Sequence, residues 1–196
     1  MGNLWFTSDT HFGHKNILKF CPNTRLGKDV EEHDEILIEN WNKQVAPGDT
    51  VYMLGDCFFH RDPHRVANIM NRLAGTKHLI YGNHDQVIRR NEMVQRKFAT
   101  IQEYLELHMS KRKMVVLFHY PMLEWNKMHH GAYHLFGHVH GNMDNHPEVL
   151  PYRIMDVGID SRPGGVEPAD GKMTLWNWEQ IDSILEKREK KPHHGD

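Results

Sequence analysis

Short runs of apolar, β-branched and aromatic residues recur along the chain, and five of them end on a polar residue. Leu4-Trp5-Phe6-Thr7-Ser8 leads into Asp9 and His11, Val51-Tyr52-Met53-Leu54-Gly55 into Asp56, and His78-Leu79-Ile80-Tyr81-Gly82 into Asn83. Met114 to Phe118 delivers His119, and Tyr133-His134-Leu135-Phe136-Gly137 delivers His138 and His140. Runs of this length bounded by glycine predict buried strands. Segments of helical spacing lie between them. In 29–45, Val30, Leu37, Ile38, Trp41 and Val45 recur on one face, Asp29 can cap the first turn with Glu32 three residues on, and Pro47-Gly48-Asp49 ends the helix. Segments 63–73 and 86–98 are also helical in spacing and fall between strands, which predicts βαβ-like crossovers.

Residues 101–108 and 114–119 flank the polar turn Ser110-Lys111-Arg112-Lys113 and predict a hairpin. A further strand is expected over 152–159 and a closing helix over 176–189. Residues 120–133 and 141–151, rich in Asn, His, Pro and Gly, read as loops that overhang the strand ends and shape access. The pattern is that of one α/β domain over 1–189, with 190–196 a solvated, partly disordered tail.

Composition narrows the picture without choosing a function. A chain of 196 residues with 39% hydrophobic and 26% charged residues and a net charge of -2 suits one globular domain and lacks a generalised basic face for tracking nucleic acid. Cys21 and Cys57 show no paired ligand spacing, so a reducing compartment is expected. The chain enters its first strand without a basic, long apolar leader, and no apolar stretch approaches bilayer length. Phe6 stands where a myristoylation signal needs Ser or Thr. A cytoplasmic location without membrane association follows as the expectation; oligomeric state is not legible.

The polar residues carry the chemistry. Strands of an α/β sheet present side chains at their carboxyl ends, so ligands distant in sequence can converge on one crevice. Nitrogen from His and oxygen from Asp and Asn suit two divalent ions, Mn favoured, with Fe, Zn, Ni, Co or Mg as alternatives. Two ions about 3.5 to 4 Å apart need a bridging ligand, and Asp56 is the candidate. Such a pair can acidify a bridging water into an attacking hydroxide and offset charge on a phosphoryl group. His84, next to Asn83, is the candidate acid for the leaving group, with Asp85 expected to orient its ring.

Taken together, Asp9-x-His11, Gly55-Asp56, Gly82-Asn83-His84-Asp85, His119 and Gly137-His138-x-His140 resemble the five-block signature of calcineurin-like metallophosphoesterases, in order and at compatible separations. Asp156-Val157-Gly158-Ile159-Asp160 and Trp176 to Ile181 resemble that family's closing strand and helix. The resemblance implies a four-layered α/β/β/α sandwich, the metallo-dependent phosphatase fold. It also implies that Asp9, His11 and His140 hold one ion and Asn83, His119 and His138 the other, with Asp56 between them and His84 backed by Asp85 as the acid. One departure stands out: Phe59 occupies the place of an Asp in the extended block Gly-Asp-x-x-Asp of many relatives. That points toward the small bacterial- and phage-type phosphoesterases. Arg61 and His14 are expected to contact substrate.

The expected activity is hydrolysis of a small or nucleotide-like phosphodiester, with a nucleotide or nucleic-acid end among the candidate partners. The alternatives are a phosphomonoesterase acting on a nucleotide, metabolite or phosphoprotein, and a non-catalytic binding module on the same fold. Among the other histidines of the 17, those at 33, 60, 78 and 134 read as packing, surface or loop residues.

Overall fold

The computed structural model describes residues 2–168 and 170–192. It is a mixed α/β structure with two sheets and helices. The first sheet takes β1 (Leu4–Thr7), β2 (Thr50–Met53), β3 (Thr76–Ile80), β4 (Thr100–Gln102) and β9 (Trp176–Asn177) in the order β4-β3-β2-β1-β9. β1 to β4 are parallel and β9 runs antiparallel to β1. The second sheet takes β5 (Tyr104–Ser110), β6 (Lys113–Phe118), β7 (Tyr133–Phe136) and β8 (Ile154–Asp156), with an antiparallel β5–β6 hairpin and parallel β6-β7-β8.

Alternation along the strands divides the core. Phe6, Tyr52, Leu54 and Ile80 turn from the first sheet toward Val115, Leu117, Tyr133 and Leu135 of the second, and Phe6 stacks on Tyr52 at 5.6 Å between ring centroids. Burying each such side chain contributes about 2 to 3 kcal/mol. Trp5, Val51 and Met53 point the other way, against α2 (Val30–Gln44) and α3 (Pro63–Arg72). These two helices form where expected and for legible reasons. The Asp29 carboxylate accepts the Glu32 amide at 2.9 Å and the Glu32 carboxylate accepts the Lys28 amide at 2.7 Å. Asp62 caps α3, and Pro63 sits at its start, where no amide hydrogen is needed.

The outer face of the second sheet, Met114, Val116, Phe136 and Ile154, is covered by Trp125, Met128, Ala132 and Val149 from loops. The helical part of that cover is a single 3₁₀ turn, Met128–His130. The helix expected over 86–98 is two short ones, α4 (Gln86–Arg89) and α5 (Glu92–Gln95). Asn91 between them is extended, and its side-chain Nδ2 donates to the Val87 carbonyl at 2.7 Å, competing with the helical ladder. The strand expected over 101–108 is divided at Glu103, where the chain leaves the first sheet for the second. Trp176 and Asn177 form an edge strand before the closing helix α6 (Trp178–Leu185), and Ile154–Asp156 is the regular part of 152–159. α1 (Ile17–Phe20) is a single turn after the first strand-end loop.

Both cysteines are free. Among the described residues no helix is long and apolar enough to cross a membrane. Of the segment expected to form a tail, Lys191 is buried and pairs with Glu148 at 2.9 Å; residues 193–196 lie outside the described residues.

Candidate metal centre

Beyond the strand ends, the first two parallel strands stay zipped together by backbone bonds. Asp9 donates to the Gly55 carbonyl at 3.0 Å, His11 to Asp56 at 3.1 Å, Phe12 to Cys57 at 2.9 Å, and Phe59 donates back to Phe12 at 2.8 Å. After β8 the chain crosses to the first sheet, where Ile159 donates to the Ser8 carbonyl at 3.2 Å. The two sheets are thus joined directly beneath the loops that carry the predicted ligands.

Those loops are bent against ordinary backbone preference. Asp9, His11, Asp56, His138 and His140 all have φ between 51° and 71°. Non-glycine residues rarely adopt this left-handed region, and such strain gathers at functional sites because only a surrounding structure can hold it. The glycines before the ligands answer a second need. A Cβ on Gly137 would lie 1.9 Å from Ser8 Oγ, and one on Gly82 would lie 2.2 Å from Asp56 Oδ1, so these positions admit no side chain.

The predicted ligands form two groups of donors, Asp9, His11 and His140, and Asp56, His119 and His138, each with its ligand atoms within 4.8 Å of one another; a third such group, Cys21, His140 and Asp160, shares His140 with the first. In the first, Asp9 Oδ1 lies 3.7 Å from His11 Nε2 and 3.9 Å from His140 Nε2. In the second, Asp56 Oδ2 lies 3.5 Å from His119 Nε2, and Asn83 Oδ1 stands 3.1 Å from the same nitrogen. Asp56 Oδ2 is also 3.9 Å from His11 Nε2, so it stands between the groups. Donors bound to one transition-metal ion at about 2.0 to 2.2 Å have separations of this order.

The fit of these residues to cations rests on their unmet bonding. Asp9 Oδ1 and His11 Nε2 are buried without any hydrogen-bond partner, which is costly unless something else takes up their lone pairs. The other atoms of the same side chains are occupied: Asp9 Oδ2 accepts the His138 amide at 2.8 Å, and His119 Nδ1 donates to the Leu54 carbonyl at 2.7 Å, leaving Nε2 facing the centre. Burial alone would lower the pKa of His140. Its hydrogen bond to Asp160, the nearby Cys21 and the charge of Asp9 outweigh burial and push it up to about 10. His119 is raised likewise, burial being outweighed by Asp56 and Asp9. Without cations, then, the carboxylates draw protons onto His140 and His119, while burial shifts His11 and His138 the other way.

His84 and Asp85 part company. The His84 ring is half exposed, with Nε2 4.0 Å from Asp56 Oδ2, and packs on Phe59 at 4.7 Å between centroids. Asp85 is not behind it. Its oxygens accept the amides of Gly82 at 2.8 Å, Cys57 at 2.9 Å and Asp56 at 3.0 Å, so it ties the second strand-end loop to the third instead of holding the ring. Phe59 does the orienting instead, stacking also on His14 at 3.9 Å and on His11 at 4.7 Å. His14 Nδ1 lies 3.0 Å from His11 Nδ1, and burial with the neighbouring His11 holds its pKa down at about 4. Arg61 lies beyond Phe59, in a neighbouring depression with His84.

Sequence reasoning missed the supports of the first donor group. Asp160 accepts from His140 Nδ1 at 2.7 Å and is held by Arg25, whose Nε and Nη2 donate at 2.8 Å and 2.6 Å. Arg25 also donates to the carbonyls of Asp9 and Thr10. Cys21 Sγ lies 3.9 Å from His140 Nδ1, a nitrogen that Asp160 already takes. Asp160 had a visible trace, a charged residue closing the apolar run Val157-Gly158-Ile159; Arg25 and Cys21 had none. His134 is a satisfied core histidine, between the Val116 carbonyl and the Met122 amide.

The fold and site define an α/β protein with two sheets that carries, at its strand ends, side-chain groups able to hold metal ions. No family model matches the chain. It is 32% identical over 155 residues to Uncharacterized protein MJ1445 of Methanocaldococcus jannaschii, covering 78% of each chain, and it belongs to the family of that protein. It is also 29% identical over 185 residues to Gene 66 protein of Mycobacterium phage D29, covering 82% of this chain and 89% of the relative. The crystal structure of AQ665, a protein of unknown function from Aquifex aeolicus, is similar with a TM-score of 0.68 at 25% identity, over 94% of this chain and 100% of that one.

Proposed function

We propose that the protein is a dinuclear-metal-dependent phosphoesterase that prefers phosphodiesters, built on the α/β/β/α sandwich of metallo-dependent phosphatases with its fourth layer thinned to loops and one 3₁₀ turn. The observation that carries this is the position of Asp56 Oδ2, 3.9 Å from His11 Nε2 and 3.5 Å from His119 Nε2, between two donor groups of which the first has unmet bonds. One ion would take Asp9, His11 and His140, the other Asn83, His119 and His138, with Asp56 shared. This set of nitrogen and oxygen donors favours Mn, with Fe, Zn, Ni, Co or Mg as alternatives. When bound, the ions would supply positive charge to the phosphoryl oxygens and acidity to water near neutral pH.

The chain's own groups divide the remaining work. His84, half exposed and held against Phe59, faces Asp56 on one side and solvent on the other, which suits a donor of the proton to a departing alkoxide. Burial fixes Asp9, Asp56 and His119 before substrate arrives, helped at Asp9 and Asp56 by the left-handed backbone, so little reorganisation is left to the reaction. The recess beside His11 and His140 is lined by Ile17, Phe20, Cys21 and Asn142 and, among the described residues, by no Lys or Arg. A monoanionic diester needs less neutralisation there than a dianionic monoester, which is why the diester is preferred.

The test is hydrolysis of bis(p-nitrophenyl) phosphate and p-nitrophenyl phosphate by metal-stripped protein given Mn, Ni, Zn or Mg singly. Metal-restored turnover favouring the diester supports the proposal. Preference for the monoester replaces it with a phosphatase, and inactivity with every metal despite two bound ions replaces it with a binding module.

A further inference from the structure

Phe59 and His84 form a ridge shared by two depressions. One, of about 460 Å³, runs from His11 and His140 to the exposed ring of Phe20, whose centroid is 6.0 Å from that of His14. The other, of about 550 Å³, contains Arg61, Gln86, Arg90 and Asn91, and among the described residues no carboxylate lines it. Its two arginines are unlike most in the protein. Arg65, Arg72, Arg89 and Arg96 each pair with a glutamate. Among the described residues the guanidinium groups of Arg61 and Arg90 have no acceptor. The contrast is sharpest between neighbours: Arg89 grips Glu103 at 2.6 Å and lies over the Tyr81 ring, while Arg90, one residue on, is left to the depression.

We infer that this second depression is a subsite for a further phosphate, so that the substrate is a nucleotide-strand diester laid across the Phe59–His84 ridge, with a base toward Phe20 and His14 and the next phosphate toward Arg61 and Arg90. The inference rests on the phosphoesterase proposal for the adjacent centre. The planar guanidinium fork matches phosphate oxygens in pairs. An aromatic platform beside a basic groove is how single strands are held without reading their sequence. An isolated aryl or cyclic diester would occupy one side of the ridge and leave the two guanidinium groups unused.

The experiment titrates the full chain, with chelator present so that nothing turns over, with dithymidine monophosphate and with the same dinucleotide carrying an added 5′- or 3′-phosphate. One of the two phosphorylated ligands is expected to bind about tenfold tighter than the parent, the gain of one charged hydrogen-bonded contact. Arg90→Ala removes that gain, whereas Arg112→Ala, at the hairpin turn, deletes the same charge and keeps it. Equal binding of the three ligands, a gain that survives Arg90→Ala, or an equal loss in Arg112→Ala overturns the subsite. Restoring Mn then separates the two ideas. A binding preference without turnover of any dinucleotide sinks the phosphoesterase proposal and leaves the subsite standing; turnover without a preference sinks the subsite alone.

Discussion

Asp160 Oδ2 lies 2.7 Å from His140 Nδ1, and this bond decides which nitrogen of the ring faces Asp9. A carboxylate behind a ligating imidazole fixes its orientation and raises its basicity. Asp160→Asn should therefore weaken cation binding at the Asp9, His11 and His140 group by about 10- to 100-fold, read by competition with a chromogenic chelator. Asp160→Ala should also leave Arg25 buried without its partner, at about 3 to 5 kcal/mol of stability. Unchanged affinity in the Asn variant would show that Asp160 is only the partner of Arg25.

Cation binding should release protons. The folded pKa of His140 is pushed up to about 10, so it carries a proton at pH 7, and that of His119 is shifted in the same direction; a ligating imidazole must shed its proton. The sign follows: affinity rises with pH and is lost in acid. Calorimetry in two buffers of different ionisation enthalpy should show release of about one proton or more per protein at pH 7. Binding whose heat is independent of buffer would contradict the raised pKa values.

His84 and Phe59 should behave as a pair. His84→Ala is expected to slow diesters with poorly acidic leaving groups by about 10²- to 10⁴-fold and to slow p-nitrophenyl esters far less, because a good leaving group needs no proton. Phe59→Ala should reproduce the same leaving-group dependence in weaker form, since it frees the ring without deleting it. A uniform loss across leaving groups would instead place His84 in substrate binding.

Asp49 anchors the start of the first sheet. Burial raises the pKa of its carboxyl, but the amides of Ala46 and Asn3 and the Trp5 indole outweigh it and bring the pKa below the usual value. A depressed folded pKa contributes stability that is present above the unfolded pKa of about 3.9 and is lost as pH falls through the folded value. Urea unfolding of Asp49→Asn should show a loss of about 1 to 3 kcal/mol at pH 7 and a smaller difference from the parent below pH 3. An equal difference at both pH values would mean the carboxylate charge plays no part.

The strand ends were legible because each apolar run closes on a donor, three of them through a glycine, and the structure explains both. Gly82 and Gly137 are forced by crowding against Asp56, Ser8 and Asp9, and the donors turn back over the sheet in left-handed loops. The helix at 30–44 was legible from Asp29 because its cap is local. What escaped was long-range. Asp160 reaches His140 across 20 residues, and Arg25 reaches Asp160 across 135, with no spacing to betray either. Asp85, next to His84 in sequence, was expected behind its ring, but adjacent residues need not face each other, and the Gly82, Asp56 and Cys57 amides hold it elsewhere. The crossing between sheets at Glu103 is equally silent, because 101–108 reads as one continuous strand.

Among the described residues, seven that are not glycine adopt the left-handed backbone, and five of them are candidate ligands. Each such residue stores of the order of 1 kcal/mol or more, which glycine or asparagine would release. Stability and cation capture therefore pull these positions in opposite directions. A mutant library sorted on heat resistance alone would accumulate substitutions at 9, 11, 56, 138 and 140 first, and its hardiest members would be the ones that no longer gather ions.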